Sequence, residues 1–207
     1  SFLHEIADAT GQDHRDFLMA ALGEDKLFKP DDLASLNTVR ARKVIAAVTQ
    51  AASWGRALPK GRGLGLGFFF SHAGHVAEVA EVSVNADKQV TVHEVWWAAD
   101  LGQIVNLSGA ENQFEGSVVD GVSALADQRI SIRSGAIEQT NFHQYPLLRL
   151  PQSPKIHVDF LTSDYPPSGA GEPALPPVAP AICNAVFNAC GERIRTLPIS
   201  RAGFKVV

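Results

Sequence analysis

The stretch from Val76 to Ala98 constrains the fold most. Val76 to Val84 alternates apolar and polar residues, Asn85-Ala86-Asp87-Lys88 is a run of turn formers, and Val90 to Ala98 resumes the alternation. Two period-two segments joined by a polar turn predict a β-hairpin. Just upstream, Gly63, Gly65 and Gly67 alternate and lead into Phe68-Phe69-Phe70. Glycines at every second position share one face of a strand, so another backbone or a helix is expected to pack closely there. The spacing is GxGxG and a strand follows it, which excludes a dinucleotide-binding fingerprint.

Everything before the turn at Leu58-Pro59-Lys60-Gly61 reads as helical. Phe2, Leu3 and Ile6 mark one short amphipathic helix. Phe17, Leu18, Ala21 and Leu22 mark a second, with Gly11 between them and Asp13 as the cap. Asp31-Asp32 is expected to open a third, running through Leu33, Leu36, Val44, Ile45 and Val48 to about Trp54, with Gly55 as the stop. The expected organisation is a helical segment over residues 1–58 and an α+β segment over 59–207.

After the hairpin, Asp100 to Asn106 reads as a loop. Ser108 and Glu111 have the spacing of a capping box for a helix carrying Gln113, Glu115, Gly116, Val119, Gly121, Val122 and Leu125. Gly116 and Gly121 cost helix propensity, so both are assigned to close packing. Arg129 to Thr140 reads as a second strand pair turning at Ser134-Gly135. Asn141 to Pro146 is a polar-aromatic loop, and Ile156 to Thr162 a further strand. A last apolar helix starts near Pro177 or Pro180 and ends at Gly191. Arg193 to Pro198 is expected as an extended tail. The expected fold class is α+β: helices first, then a mixed sheet flanked by the Gln113 helix and the C-terminal helix.

Composition narrows the function. The 207 residues carry a net charge of −4 and no Lys/Arg run, which argues against a nucleic-acid partner. No run of 18 apolar residues is present, so no membrane span is expected. The chain opens on Ser1 and not on methionine, from which an upstream segment is expected. Cys183 and Cys190 lie two helical turns apart, roughly 10 Å, too far for a disulfide; both are expected in the core. With no CxxC the chain is not expected to hold an iron–sulfur cluster itself. His72 and His75 fall on opposite faces of a strand, so a shared metal is not expected. His93 is expected at an exposed strand position.

The candidate chemistry sits in Ser168-Gly169-Ala170-Gly171-Glu172-Pro173. Gly171 admits close approach to the backbone. Glu172, placed before a helix N-terminus, is favoured as an ionised carboxylate and so can act as a base. The same residue also reads simply as an acidic group at a helix start. Gln113, alone, reads equally as an exposed helix residue.

Val105-Asn106, Gln113-Phe114-Glu115-Gly116, Asn141-Phe142-His143-Gln144-Tyr145-Pro146-Leu147 and Gly169-Ala170-Gly171-Glu172-Pro173 occur in this order. In that order they resemble the molybdopterin-binding large subunits of the xanthine dehydrogenase and aldehyde oxidase family, above all the isoquinoline 1-oxidoreductase beta-subunit group. Ser1 to Ala7 and Gly61-Arg62-Gly63-Leu64-Gly65 resemble that group too. The family carries Asn-Pro where this chain has Asn106-Leu107, and its large subunit is considerably longer, so the resemblance is to its C-terminal part.

The resemblance implies a molybdenum hydroxylase acting on an aldehyde or an aromatic N-heterocycle, with water as oxygen source. It implies Glu172 as catalytic base, Gln113 as a contact to the pterin, and Gly171 as room for the cofactor. It further implies a molybdenum–molybdopterin cofactor, in the cytosine dinucleotide form, shared with a companion chain holding the rest of the large subunit. Iron–sulfur clusters would lie on an electron-transfer subunit. A non-catalytic structural or assembly subunit, and a free-standing ligand-binding α+β protein, are the competing readings. Bacterial cytoplasm and periplasm both stay open.

Overall fold

The computed structural model describes all 207 residues. Helices α1 (Phe2–Ala9), α2 (His14–Leu22) and α3 (Thr38–Ala51) come first. Strands β1 (Arg62–Ser71), β2 (Gly74–Val84) and β3 (Gln89–Asp100) follow, then α4 (Leu107–Ala126). Short strands β4 (Ile132–Arg133) and β5 (Ala136–Ile137) form a small hairpin. Strand β6 (Lys155–Phe160), α5 (Val178–Cys190) and β7 (Lys205–Val206) complete the chain. The fold is α+β, with a mixed main sheet.

In that sheet β1, β2 and β3 form an antiparallel meander, and β6 runs parallel to β3 along Glu94 to Ala99. The expected hairpin is present, with Val84 opposite Val90. The two glutamates of its first strand do not face water, however. Strand β2 is covered on both sides, by α3 on one and α5 on the other, and Glu78 and Glu81 are both buried. One core gathers Val76, Ala80, Val95 and Trp97 with Phe114, Val118 and Val122 of α4 and Ile182 of α5. The other gathers Ala77, Val79 and Trp96 with Val44, Ile45 and Val48 of α3.

The glycine stripe does what its spacing predicts. A Cβ on Gly63 would lie 2.3 Å from the Ala185 carbonyl oxygen, and one on Gly65 2.1 Å from that of Ala181. On Gly67 it would lie 2.5 Å from that of Pro177. Helix α5 therefore rides directly on the β1 backbone. Asn184 and Asn188 secure it, donating to the carbonyls of Leu66 and Leu64 at 2.9 and 2.7 Å.

Several expectations are corrected. The third helix starts at Thr38, not at Asp31-Asp32. Asn37 is the cap, its Oδ1 accepting from Val39 and Arg40, while Asp32 Oδ1 closes a local turn with Ala34. The helix ends at Ala51, three residues short of Trp54. Residues 1–58 are thus three short helices with intervening turns. Cys190 is exposed, and only Cys183 is in the core; both are free. His93 is half-buried and bonds to Ser83 Oγ at 2.8 Å. Gly121 packs closely, against Val178, but a Cβ on Gly116 would meet nothing within 4 Å. The C-terminal tail does not stay extended. It turns through a 3-10 segment at Ile199–Ala202, and β7 adds to β3 opposite Gln89 and Val90. That addition depends on a contact more than a hundred residues distant, which local pattern does not carry.

Candidate functional site

The cleft forms where β3 ends and α4 begins, opposite the loop that precedes α5. Asn106 is the cap of α4, its Oδ1 accepting from Gly109 N at 3.0 Å. This replaces the expected capping box. The Ser108 hydroxyl donates instead to Asn106 Oδ1 at 3.2 Å. Leu107 occupies the first helical position, where proline would also fit, so helix and cap form without it.

Gln113 stands near the end of the second turn of α4, exposed, its side-chain amide bonded to no group in the chain. A Cβ on Gly171 would lie 3.6 Å from Gln113 Nε2. Phe114, next to it, points the other way into the core, edge-on to Trp97 and Phe160. The opposite wall is held by Ser168, whose N–H donates to the Leu101 carbonyl at 2.9 Å. The next four N–H groups, of Gly169, Ala170, Gly171 and Glu172, donate to no acceptor in the chain. Four successive amides without an acceptor in the chain, on residues that line the cleft, are available to donate to an oxygen-rich or anionic ligand.

The Glu172 carboxylate is exposed and unpaired, with Oε2 3.8 Å from where a Gly169 Cβ would stand. Its relation to α5 differs from expectation. Helix α5 begins at Val178 with Pro177 as cap, and a turn from Glu172 O to Leu175 N comes first. The dipole effect fades within one turn of a helix end, so the dipole argument for Glu172 does not hold. Gln113, Gly171 and Glu172 nevertheless line one open cleft of about 720 Å³, with Gln103, Val105 and Asn106.

Two features were not visible in the sequence. Ser117, one turn beyond Gln113, lies 2.9 Å from the Gln113 carbonyl and 2.8 Å from that of Gly171. Its spacing from Gln113 was the only signal. The second is a buried polar cluster around Asp100, at the root of the cleft. His75 belongs to its margin: Nε2 accepts from Asn37 N at 3.0 Å, and burial beside Arg40 pushes its pKa down to about 4. His72 sits in the tight β1–β2 turn beside Ser71 Oγ. No group of three or more His, Cys, Asp or Glu residues is arranged to hold a metal ion.

Fold and cleft together define a class: an α+β segment with an open cleft between the capped start of α4 and the loop that precedes α5. Residues 21–154 match the family model described as the molybdopterin cofactor-binding domain, and the chain belongs to that family. The match includes Gln113 and ends before Gly171. The chain is 34% identical over 175 residues to isoquinoline 1-oxidoreductase subunit beta of Brevundimonas diminuta, covering 82% of this chain and 22% of that one. It is 31% identical over 210 residues to the membrane-bound aldehyde dehydrogenase [pyrroloquinoline-quinone] of Gluconacetobacter polyoxogenes, covering 97% and 27%. Among solved structures it is similar to the aldehyde oxidoreductase of Desulfovibrio desulfuricans ATCC 27774, with a TM-score of 0.52 and 27% identity over 60% of this chain and 14% of that one. The chain thus spans roughly a quarter or less of the length of these proteins.

Proposed function

We propose that the chain is the C-terminal portion of the catalytic subunit of a molybdenum hydroxylase, oxidising an aldehyde or hydroxylating an aromatic N-heterocycle. The observation that carries this is the convergence of Gln113, Gly171 and Glu172 on one cleft edged by four free amides. These residues fit a pterin. The Gln113 amide can donate and accept, the 169–172 amides can donate to its oxygens, and Gly171 leaves the space before Gln113 open. The cofactor, in its cytosine dinucleotide form, would be shared with the remainder of the large subunit, and iron–sulfur clusters would lie on an electron-transfer subunit.

When bound, the molybdenum cofactor supplies the two-electron oxidation of the substrate carbon. The part of this chain is proton transfer and placement. Glu172 is exposed to the cleft and unpaired, so its carboxylate is free to accept a proton as oxygen from water is incorporated. Exposed apolar residues at the entry to α4, Val105 and Leu107, mark a surface suited to the companion chain.

The test is Glu172→Gln in the assembled complex. It keeps size and polarity but cannot take the proton, so turnover falls by about 10²–10⁴ with cofactor content unchanged. Glu115→Gln, on the exposed face of α4, is the control and leaves turnover within about twofold of wild type. A Glu172→Gln complex that turns over normally overturns the assignment. The Gluconacetobacter relative's name favours a second reading, in which the cleft takes a quinone. Analysis of the released cofactor separates pterin from quinone. A complex that carries neither supports a structural or assembly subunit.

A further inference from the structure

Asp100 ends β3, and Leu101 begins the cleft wall. Arg40, from α3, reaches Asp100 Oδ2 with Nε at 2.8 Å and Oδ1 with Nη2 at 2.7 Å. The same Nη2 lies 3.1 Å from the Asp100 carbonyl, so one guanidinium grips both side chain and backbone. The two side chains are only 5% and 3% exposed. A buried ion pair is weak evidence of stabilisation by itself, because desolvation offsets the attraction. What distinguishes this one is where its remaining bonds go.

Asp100 Oδ1 also accepts from Gly102 N at 3.1 Å, in the first loop, and from Ser163 Oγ at 2.7 Å, at the start of the second. The Arg40 guanidinium lies 4.1 Å from the centre of the Tyr165 ring. The Tyr165 hydroxyl accepts from Asn37 Nδ2 at 2.9 Å, and its carbonyl accepts from Gln103 N at 3.2 Å. The loops also touch backbone to backbone: a Cβ on Gly102 would lie 2.2 Å from the Pro166 carbonyl oxygen. There is no slack between them.

We propose that Arg40 and Asp100 are a positioning pair that sets the spacing of the two loops walling the Gln113–Glu172 cleft, so that α3 helps to shape the ligand site. The inference rests on the reading of that cleft as the cofactor site. Neither residue touches the ligand; both act through the loops.

The experiment uses the purified complex and three variants: Arg40→Lys, Ser163→Ala and Val48→Ala. Lysine keeps the charge but loses the two-pronged grip and the ring contact. Ser163→Ala removes one bond to Asp100 and keeps the ion pair, so it carries the test should Arg40→Lys fail to fold. Val48→Ala leaves a cavity in the same helix, away from the loops, as the control for general destabilisation. The readout is hydrogen exchange at the Gly102, Gln103 and Ser168 amides, which bond to Asp100, Tyr165 and Leu101. Exchange there rises about tenfold in Arg40→Lys and less in Ser163→Ala, with the Val79 amide of β2 unchanged. Pterin retained per chain after gel filtration falls in Arg40→Lys and not in Val48→Ala. Equal exchange at the three amides in all three variants overturns the proposal. A wild-type complex that carries no pterin overturns the cofactor reading instead, and the exchange data then decide the pair alone.

Discussion

Ser117 Oγ lies 2.8 Å from the Gly171 carbonyl oxygen, fastening the helix that bears Gln113 to the loop that bears Glu172. The hydroxyl has one proton for two carbonyls, those of Gly171 and Gln113, and it is buried. Ser117→Ala removes this tie. A net loss of about 1 kcal/mol is expected, seen as a drop of about 2–4 °C in thermal midpoint. Pterin retention falls as well, because the two walls lose their common fastening. Cofactor content and midpoint, measured together on the complex, check both parts.

Gly65→Ala is the most damaging small substitution expected in the chain. The new methyl would lie 2.1 Å from the Ala181 oxygen and 2.2 Å from the Ala185 nitrogen, both backbone atoms that cannot rotate away. Helix α5 must lift off β1, opening the core beneath Ile182 and Val186. Loss of at least about 3 kcal/mol is expected, at the top of the range for overpacking. Soluble yield and denaturant unfolding test this. Wild-type stability in Gly65→Ala would show that α5 is not seated on β1.

Glu78 is fully buried in the centre of β2, with both carboxylate oxygens unpaired. Burial pushes its pKa well above the usual value of 4.5. The folded state therefore holds a proton that the unfolded chain releases. Stability attached to this group is intact below pH 4.5 and is lost as pH rises toward the raised folded value. Glu78→Gln, which never ionises, is expected to gain on wild type as pH rises from 5 to 8. Urea midpoints at several pH values decide it; parallel curves would count against a neutral Glu78.

His4 and His14 behave in the opposite sense. Their rings pack 4.8 Å apart, between α1 and α2. Burial, with Arg193 beside it, lowers the His4 pKa to about 4. Burial, with His4 beside it, lowers that of His14 to about 3. Both are neutral when folded and take up a proton near pH 6.5 when unfolded. Their contribution is complete above pH 6.5 and is lost as pH falls toward 4. The α1–α2 pair should loosen first. His14→Leu is expected to flatten the loss of stability between pH 6.5 and 4.5, measured by denaturant unfolding.

Much of the architecture was readable from the chain itself. The Val76–Ala98 hairpin, the Gly63-Gly65-Gly67 stripe, the Asp13 cap and the Gly191 helix end all follow from patterns a few residues long. Gln113 and Glu172 were singled out by motif, and both line one cleft. The errors have a common form. Ser108 and Asn106 both suit a helix start, as do Asp31-Asp32 and Asn37, and the choice between them is made by what the flanking turns must reach. Glu78 looked like the polar half of an alternating strand, because sequence does not show that α5 covers that face.

Local patterns in the chain set most of the helices and strands, the places where backbones pass closely, and the residue types available for chemistry. Those properties depend on neighbours within a turn or a pleat. Long-range packing is what brings Ser117 to Gly171, Arg40 to Asp100 across sixty residues, and Glu78 into a dry interior. Those contacts join distant segments, and they exist only once the sheet and its two helical layers have set where each side chain points.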